Sequence, residues 1–573
     1  MGNSFTCCCG SPGRVRPVKG AKEDAESGYL RYDVAELPPE GSVPGRPRPL
    51  DGPAPGDPLG IEGLVMEGGG AKGAAYVGAL LALEERGVLR HIKRYAGSSA
   101  GAMTACLLAV GYSPLEVLHV LKTTDLEGLV KDGPPVSFWH LGGVARNVMK
   151  MFGISPGNTV VELMAGLIKA KMGVASLTFA QLYRRYGVEL AVTATNLSRN
   201  SLDWLHVKTT PDMPIAHAIR ITMSLPLLLW PFTEKVVSGE VRGGYRDNYF
   251  VDGGLLMNYP MCAFDGWFLS MKPEDNFMTR LMGISTAVEA ANSDLARIRR
   301  ARFGDVPNMS VLGLRVLAEG DSGMEAVWRG SSSEDMKLPP WPNTPLAKKG
   351  MAAREERVKA EGKKRAAQGA LAQLTRLIDP AAVNSITGEL PIDHIMSALK
   401  RLGSEYPKCF EALYPGLNGE WDEVHKKILA QTDGSTGVTY NELATLAAHA
   451  GVDIMAMFSA SEGCNIDSVG SFAASFYLTF SSYVETSNTI PADIDRTAVI
   501  NTGYVNLTDF KMEPDDFEWL KASGAAAVDA YYAARLRQEG MSEQQELHQS
   551  SVADEMLDEV LDAVVEEATH GVE

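Results

Sequence analysis

The sequence predicts an α/β fold built on a central, mostly parallel sheet and interrupted by a helical insertion. Three observations predict it. Two strand-like segments each feed a glycine-rich turn and then an apolar helix: the short apolar run LVM at 64–66 enters GGGAKG at 68–73, and HIKRYA at 91–96 enters GSSAGA at 97–102. Such strand, loop, helix units build layered α/β sheets. Further strand candidates at 188–195, 249–254, 310–317 and 496–502 are spread along the chain. Between about 320 and 450 strand texture gives way to helical periodicity in MAAREERVKAEGKKRAAQGALAQLTRLI, DHIMSALKRL and NELATLAAHAG.

In chain order, residues 1–57 are rich in Pro, Gly and Arg without apolar periodicity, and are expected to be a disordered leader. The first part of the main α/β domain is expected to run from 58 to 320, where Ala74, Ala75, Val77, Leu80, Leu81 and Leu83 continue the first unit at helical spacing. Residues 321–449 form the insertion, and 450–537 resume the strand and helix pattern that closes the sheet. The last segment, 538–573, is expected to be an acidic amphipathic tail. From 541 onward it holds ten acidic residues and no Lys or Arg, with Met556/Leu557, Val560/Leu561 and Val564/Val565 recurring every four residues.

A chain of 573 residues is too long for one hydrophobic core but ample for a large domain with appended parts. Hydrophobic residues at 45% and charged residues at 22% fit a globular protein. The net charge of −17 argues against nucleic acid as partner and would repel an anionic lipid surface, so membrane contact requires a local feature. Three of the seven cysteines are adjacent and the other four far apart, which fits a reducing compartment better than a disulfide framework. No uninterrupted apolar run is long enough to span a bilayer.

Gly97-Ser98-Ser99-Ala100-Gly101 has the G-x-S-x-G form between a strand and a helix. Flanking glycines permit a turn sharp enough to project the central Ser99 above the sheet. Taken alone, the segment also reads as a small-residue turn. Gly68, Gly69, Gly70 and Gly73 place backbone amides at a helix mouth, where they suit an anionic oxygen. The same spacing reads as a dinucleotide loop, but the expected acidic residue about 20 positions on is replaced by His91-Ile92-Lys93-Arg94. Asp252-Gly253-Gly254 ends a strand, and such an aspartate can act as a base or simply shape a turn.

In this order and on these elements, GGGAKG, GSSAG and DGG resemble the three motifs of the patatin-like phospholipase family. Segments at 177–182, 192–198, 218–232, 255–260, 312–316 and 496–510 are similar to the family's connecting sequence, so the resemblance covers about 58–320 and 450–537. It implies a three-layer sandwich, a Ser99–Asp252 dyad without histidine, and an oxyanion hole at the loop around Gly69 and Gly70. The histidines after Asp252, namely His394, His425, His449, His548 and His570, all fall in the insertion or tail, which speaks against a triad. His217 reads as a packed or capping residue, and Ser98, Ser224 and Asp247 lie in the wrong frame.

The implied activity is a phospholipase A or lysophospholipase acting on glycerophospholipids at a membrane surface. It needs no cofactor, and no motif asks for a metal. A transacylase would use the same acyl-enzyme. The non-enzymatic alternative is an inactive membrane-anchored scaffold, against which the intact motifs speak.

Met1-Gly2-Asn3-Ser4-Phe5-Thr6 matches the N-myristoylation pattern at Gly2, and Cys7, Cys8 and Cys9 are placed for palmitoylation. Two chains anchor where one binds marginally. The expected address is therefore the cytosolic face of a eukaryotic plasma membrane, for a eukaryotic protein or a bacterial effector acting in its host. The cationic run Lys348–Arg365 reads either as a solvated helix face or as a surface for anionic headgroups or an activating host protein, and the acidic tail is a second candidate for that partner.

Overall fold

The structure, a computed structural model, describes residues 21–23, 30–55, 57–125, 128, 149–237, 245–278, 306–319, 336–384, 388–430, 437–439, 442 and 469–537. The expected acylation signal, the acidic tail and the NELATLAAHAG helix fall essentially outside these residues. Contacts divide the chain into two units: 1–318 with 328–342 and 468–573, and 319–327 with 343–467.

An eight-stranded mixed sheet organises the first unit. Its order is Thr497–Gly503, Val311–Ala318, Gly63–Met66, Arg94–Gly97, Glu189–Asn196, Tyr245–Asp252 and Phe232–Val237, with Ser201–Leu205 also paired to Glu189–Asn196. The first five run parallel. Pairings of Glu189–Asn196 with Tyr245–Asp252 and with Ser201–Leu205 are antiparallel, as is that of Tyr245–Asp252 with Phe232–Val237. Every residue of Gly63–Met66, Glu189–Asn196 and Val311–Ala318 is buried, the uniform texture of strands covered on both faces. The Gly63–Met66 and Arg94–Gly97 strands lie side by side in register from Gly63↔Arg94 to Met66↔Gly97. Their carboxyl ends therefore bring the two glycine turns together, where ligands of parallel sheets gather.

The late segment belongs to this sheet. Arg496 is fully buried and donates to both Asp265 oxygens at 2.7 and 2.6 Å and to Asp493 at 2.9 Å. These bonds fix the start of the edge strand against the first part of the chain.

Two boundaries differ from the sequence expectation. Residues 32–55 do not form a loose leader but lie against the domain: Arg46 donates to Leu108 O at 2.9 Å and Ile92 O at 3.0 Å, and its guanidinium covers the Tyr95 ring. Gly45 N donates to Lys171 O and Leu50 N to Arg90 O. Backbone bonds and one arginine do here what apolar periodicity does elsewhere, so periodicity gives no sign of it. Residues 328–342 group with the first unit, where Trp341 meets Tyr504 and Trp519 edge-on and Trp519 Nε1 donates to Pro339 O at 3.0 Å.

The second unit is helical, with Pro345–Leu377, Ile392–Glu405, Pro407–Leu413 and Trp421–Leu429 closing on Ile395, Leu399, Leu402, Phe410, Val424 and Ile428. Part of its cationic run is neutralised internally. Arg354 and Arg357 reach Glu319, and Lys359 meets Glu355 at 2.8 Å. Among the described residues no helix is long and apolar enough to cross a membrane.

Candidate active site

Ser99 opens the buried Ser99–Ala109 helix directly after the Arg94–Gly97 strand. Its φ is +48°, a left-handed conformation that a non-glycine residue adopts only when its surroundings impose it. The imposition is steric. A Cβ on Gly97 would lie 2.6 Å from Ala102 N, and one on Gly101 would lie 2.4 Å from the Met66 and Glu67 carbonyl oxygens. Both glycines are thus required for the elbow to close. The Ser99 amide donates to the buried Thr222 hydroxyl at 3.0 Å, while Ser98 points into the protein and is fully buried.

The glycine loop divides into amides that are used and amides that are free. Gly68 N donates to Asn258 O at 2.9 Å and Ala71 N to Leu507 O at 2.9 Å. Among the described residues the Gly69 and Gly70 amides have no protein acceptor. Gly70 has φ +51°, and a Cβ there would strike Leu507 O at 2.3 Å. Gly73 lies within the Gly70–Ala75 turn and would tolerate a Cβ with no contact under 3.6 Å, so close packing does not demand glycine at that position.

Asp252 ends its strand fully buried. Burial raises its pKa to about 7, against the opposing effect of donors on the carboxylate: the Gly254 amide at 2.7 Å, the Ser99 hydroxyl, and the Tyr477 hydroxyl at 3.3 Å. Oδ1 takes the Gly254 and Tyr477 bonds. Oδ2 has no fully aligned donor among the described residues, so the Ser99 contact is a loose one, common in unliganded sites. A Cβ on Gly253 would meet the Thr193 hydroxyl at 2.2 Å, and one on Gly254 the Tyr477 hydroxyl at 2.5 Å.

The three motifs are cross-tied by residues that no motif spacing marks. Thr222 holds the Ser99 amide, and two residues later Ser224 O accepts from Asp252 N at 2.9 Å. Arg220 is fully buried and fixes that turn through Pro156 O, Trp230 O and the Ser224 hydroxyl. Asn258 joins the DGG turn to the glycine loop. The Val469–Asn488 helix adds Tyr477 to Asp252 and the Ser481 hydroxyl to Gly254 O at 2.9 Å. His217 packs between the rings of Tyr32 and Phe232.

Ser99 and Gly70 stand at one side of an apolar pocket lined also by Met103, Leu121, Val160, Leu225, Leu229 and Phe510. Its walls suit a hydrocarbon chain. Gly2, Cys7, Cys8 and Cys9 lie outside the described residues.

The family model described as patatin-like phospholipase matches residues 64–265, which span all three glycine-bearing motifs. YqhO of Bacillus subtilis, itself uncharacterised, is 32% identical over 207 residues, covering 35% of this chain and 65% of its own. A probable lipid hydrolase, 463L of Invertebrate iridescent virus 6, is 26% identical over 199 residues, 35% of this chain and 61% of its own. The chain thus spans less than two thirds of the length of these relatives. VipD from Legionella pneumophila superposes with a TM-score of 0.33 at 15% identity, covering 86% of this chain and 70% of that one.

Proposed function

We propose, for a chain whose residues 64–265 match the patatin-like phospholipase family model, that it hydrolyses the acyl esters of glycerophospholipids with Ser99 as nucleophile and Asp252 as base. One observation carries the reading: Ser99, held at φ +48°, faces a fully buried carboxyl at the edge of an apolar pocket. Ser99 Oγ attacks the ester carbonyl carbon while its proton passes to Asp252. The Gly69 and Gly70 amides receive the developing oxyanion, and the Gly68 amide, already bonded to Asn258, acts by holding them in place. Collapse expels the lysolipid alkoxide, which takes the proton from Asp252. Water then adds to the acyl-serine with Asp252 again as base; collapse breaks the acyl–Oγ bond, Ser99 takes back the proton from Asp252, and the fatty acid leaves.

A carboxyl with a pKa about 7 is matched to this work, since it accepts a proton readily and returns it readily at neutral pH. The reading extends to address. Myristate on Gly2 with palmitate on one or more of Cys7, Cys8 and Cys9 would place the site at the cytosolic face of a membrane, offsetting the repulsion from a net charge of −17.

The experiment is product analysis by mass spectrometry with phosphatidylcholine in detergent-mixed micelles, for the wild type and Ser99→Ala. Free fatty acid and lysolipid in equal amounts, absent with Ser99→Ala, support the hydrolase. Acyl transfer to added lysolipid in place of fatty acid release would show a transacylase instead.

A further inference from the structure

The segment that follows the Ile215–Thr222 helix faces two ways. Met223, Leu225 and Leu229 line the pocket beside Ser99, whereas Leu227 and Leu228 between them are 49% and 39% exposed. Leu227 sits at φ +68°, strained for a bulky residue. Its strand, Leu227–Leu229, pairs in parallel with Gly153–Ser155, with Gly153 opposite Leu227. Immediately before Gly153, Phe152 is also strained, at φ +59°, and is 53% exposed with its ring edge-on to Tyr249. Two bulky apolar residues are therefore held side by side in unfavourable backbone conformations and presented to water. Met149, 80% exposed, stands three residues before Phe152, and Leu197, 47% exposed, is tied to Tyr249 by its amide.

We infer that Phe152, Leu227 and Leu228 form an interfacial contact that seats the pocket mouth on a phospholipid bilayer. The inference rests on the acyl hydrolase reading, since it is continuity with the acyl pocket that names the occupant. One strand supplies the pocket wall with Leu229 and the outer patch with Leu227 and Leu228, so a lipid lifted from the bilayer meets apolar surface all the way to Ser99. Lys150, Arg199 and Asp247 are exposed two residues along the chain from Phe152, Leu197 and Tyr249 respectively and bring both signs of charge near the patch. Charges of both signs near the patch suit a zwitterionic headgroup, and apolar burial at the interface supplies the binding.

The test uses the full chain carrying Gly2→Ala, so that no acyl anchor contributes, and the triple variant Phe152→Ser, Leu227→Asn and Leu228→Ser. Each is sedimented with phosphatidylcholine vesicles, and turnover is measured on those vesicles and on a water-soluble butyrate ester. The triple variant is expected to lose about 10-fold or more in both vesicle binding and vesicle hydrolysis, as lost apolar area dictates, while butyrate turnover stays within about twofold. Unchanged vesicle binding overturns the inference. Equal loss on both substrates also overturns it, because the patch would then act through the shape of the site. Self-association of the parent chain that the variant abolishes overturns it in favour of a second copy as occupant. A parent chain that turns over neither substrate defeats the hydrolase reading, and sedimentation still decides the surface on its own.

Discussion

Gly68 and Asn258 exchange two hydrogen bonds across 190 residues of chain: Gly68 N donates to Asn258 O at 2.9 Å, and Asn258 Nδ2 donates to Gly68 O at 3.0 Å. This pair fixes the glycine loop relative to the turn that carries Asp252. A Cβ on Gly68 would lie 2.3 Å from Asn258 Oδ1, so the two residues fit only in this arrangement.

Replacing Asn258 with Ala removes the bond to Gly68 O and leaves the amide bond. The loop then holds its donors less accurately where charge develops, and kcat is expected to fall by about 10- to 100-fold with little change in KM. Steady-state kinetics on a soluble ester check this. A KM effect alone would place Asn258 in substrate binding.

Tyr477 donates to the ionised form of Asp252 and lowers a pKa that burial has raised to about 7. In Tyr477→Phe the ring remains and the donor is gone, so the pKa rises further. The acidic limb of the kcat/KM profile, expected near pH 7 in the wild type, should move to higher pH while the plateau is largely kept. A lowered plateau with an unmoved limb would make Tyr477 a packing residue only.

Burying Asp252 opposes folding whenever it is charged. Its folded pKa, about 7, lies above its ordinary value of 3.8, so the folded state holds the extra proton between them. The stability this contributes is full below about pH 4 and is lost as pH rises through 7, with an upper bound of roughly 4 kcal/mol. Asp252→Asn should be inactive yet melt above the wild type at pH 8, with the gap narrowing at pH 5. A gap independent of pH would contradict the burial of an ionisable group here.

The elbow makes a smaller prediction of the same kind. Ser99→Gly relieves the strain at φ +48° and should be more stable than Ser99→Ala by about 1 kcal/mol in urea titration. Equal stability would mean the turn is not strained.

Truncation near 450 removes the Thr497–Gly503 edge strand, Tyr477, and the Arg496 that pairs with the buried Asp265. Removing the Arg496 guanidinium from the buried Asp265 carboxylate is destabilising by about 3–5 kcal/mol, so this fragment should be insoluble or inactive. Removing 541–573 should preserve the fold of the site. Solubility and near-ultraviolet circular dichroism of both truncations check this.

The turns that hold Ser99, the loop glycines and the DGG segment are legible from sequence because glycine at fixed spacing permits them, and strands such as Gly63–Met66 and Val311–Ala318 because burial on both faces leaves apolar runs. Thr222, Asn258 and Tyr477 carry no such spacing, and Ser224 reads from sequence only as a serine in the wrong frame. Each is an ordinary polar residue whose role comes from the fold bringing it to the site, 123 residues from Ser99 for Thr222 and 225 from Asp252 for Tyr477. The Ser201–Leu205 and Phe232–Val237 strands leave no apolar signal in the sequence for a related reason. Pairing at the antiparallel end of the sheet requires no continuous apolar run, and Ser201–Leu205 is fully buried only at its last two residues.

Active-site labelling with a fluorophosphonate, followed by mapping of the modified peptide, tests the central claim most directly. The account predicts a single adduct on Ser99, absent in Ser99→Ala, retained in Ser98→Ala because Ser98 is fully buried, and formed at least about 10²-fold more slowly in Asp252→Asn. An adduct on another residue, or labelling of Ser99 at the wild-type rate without Asp252, would contradict the dyad.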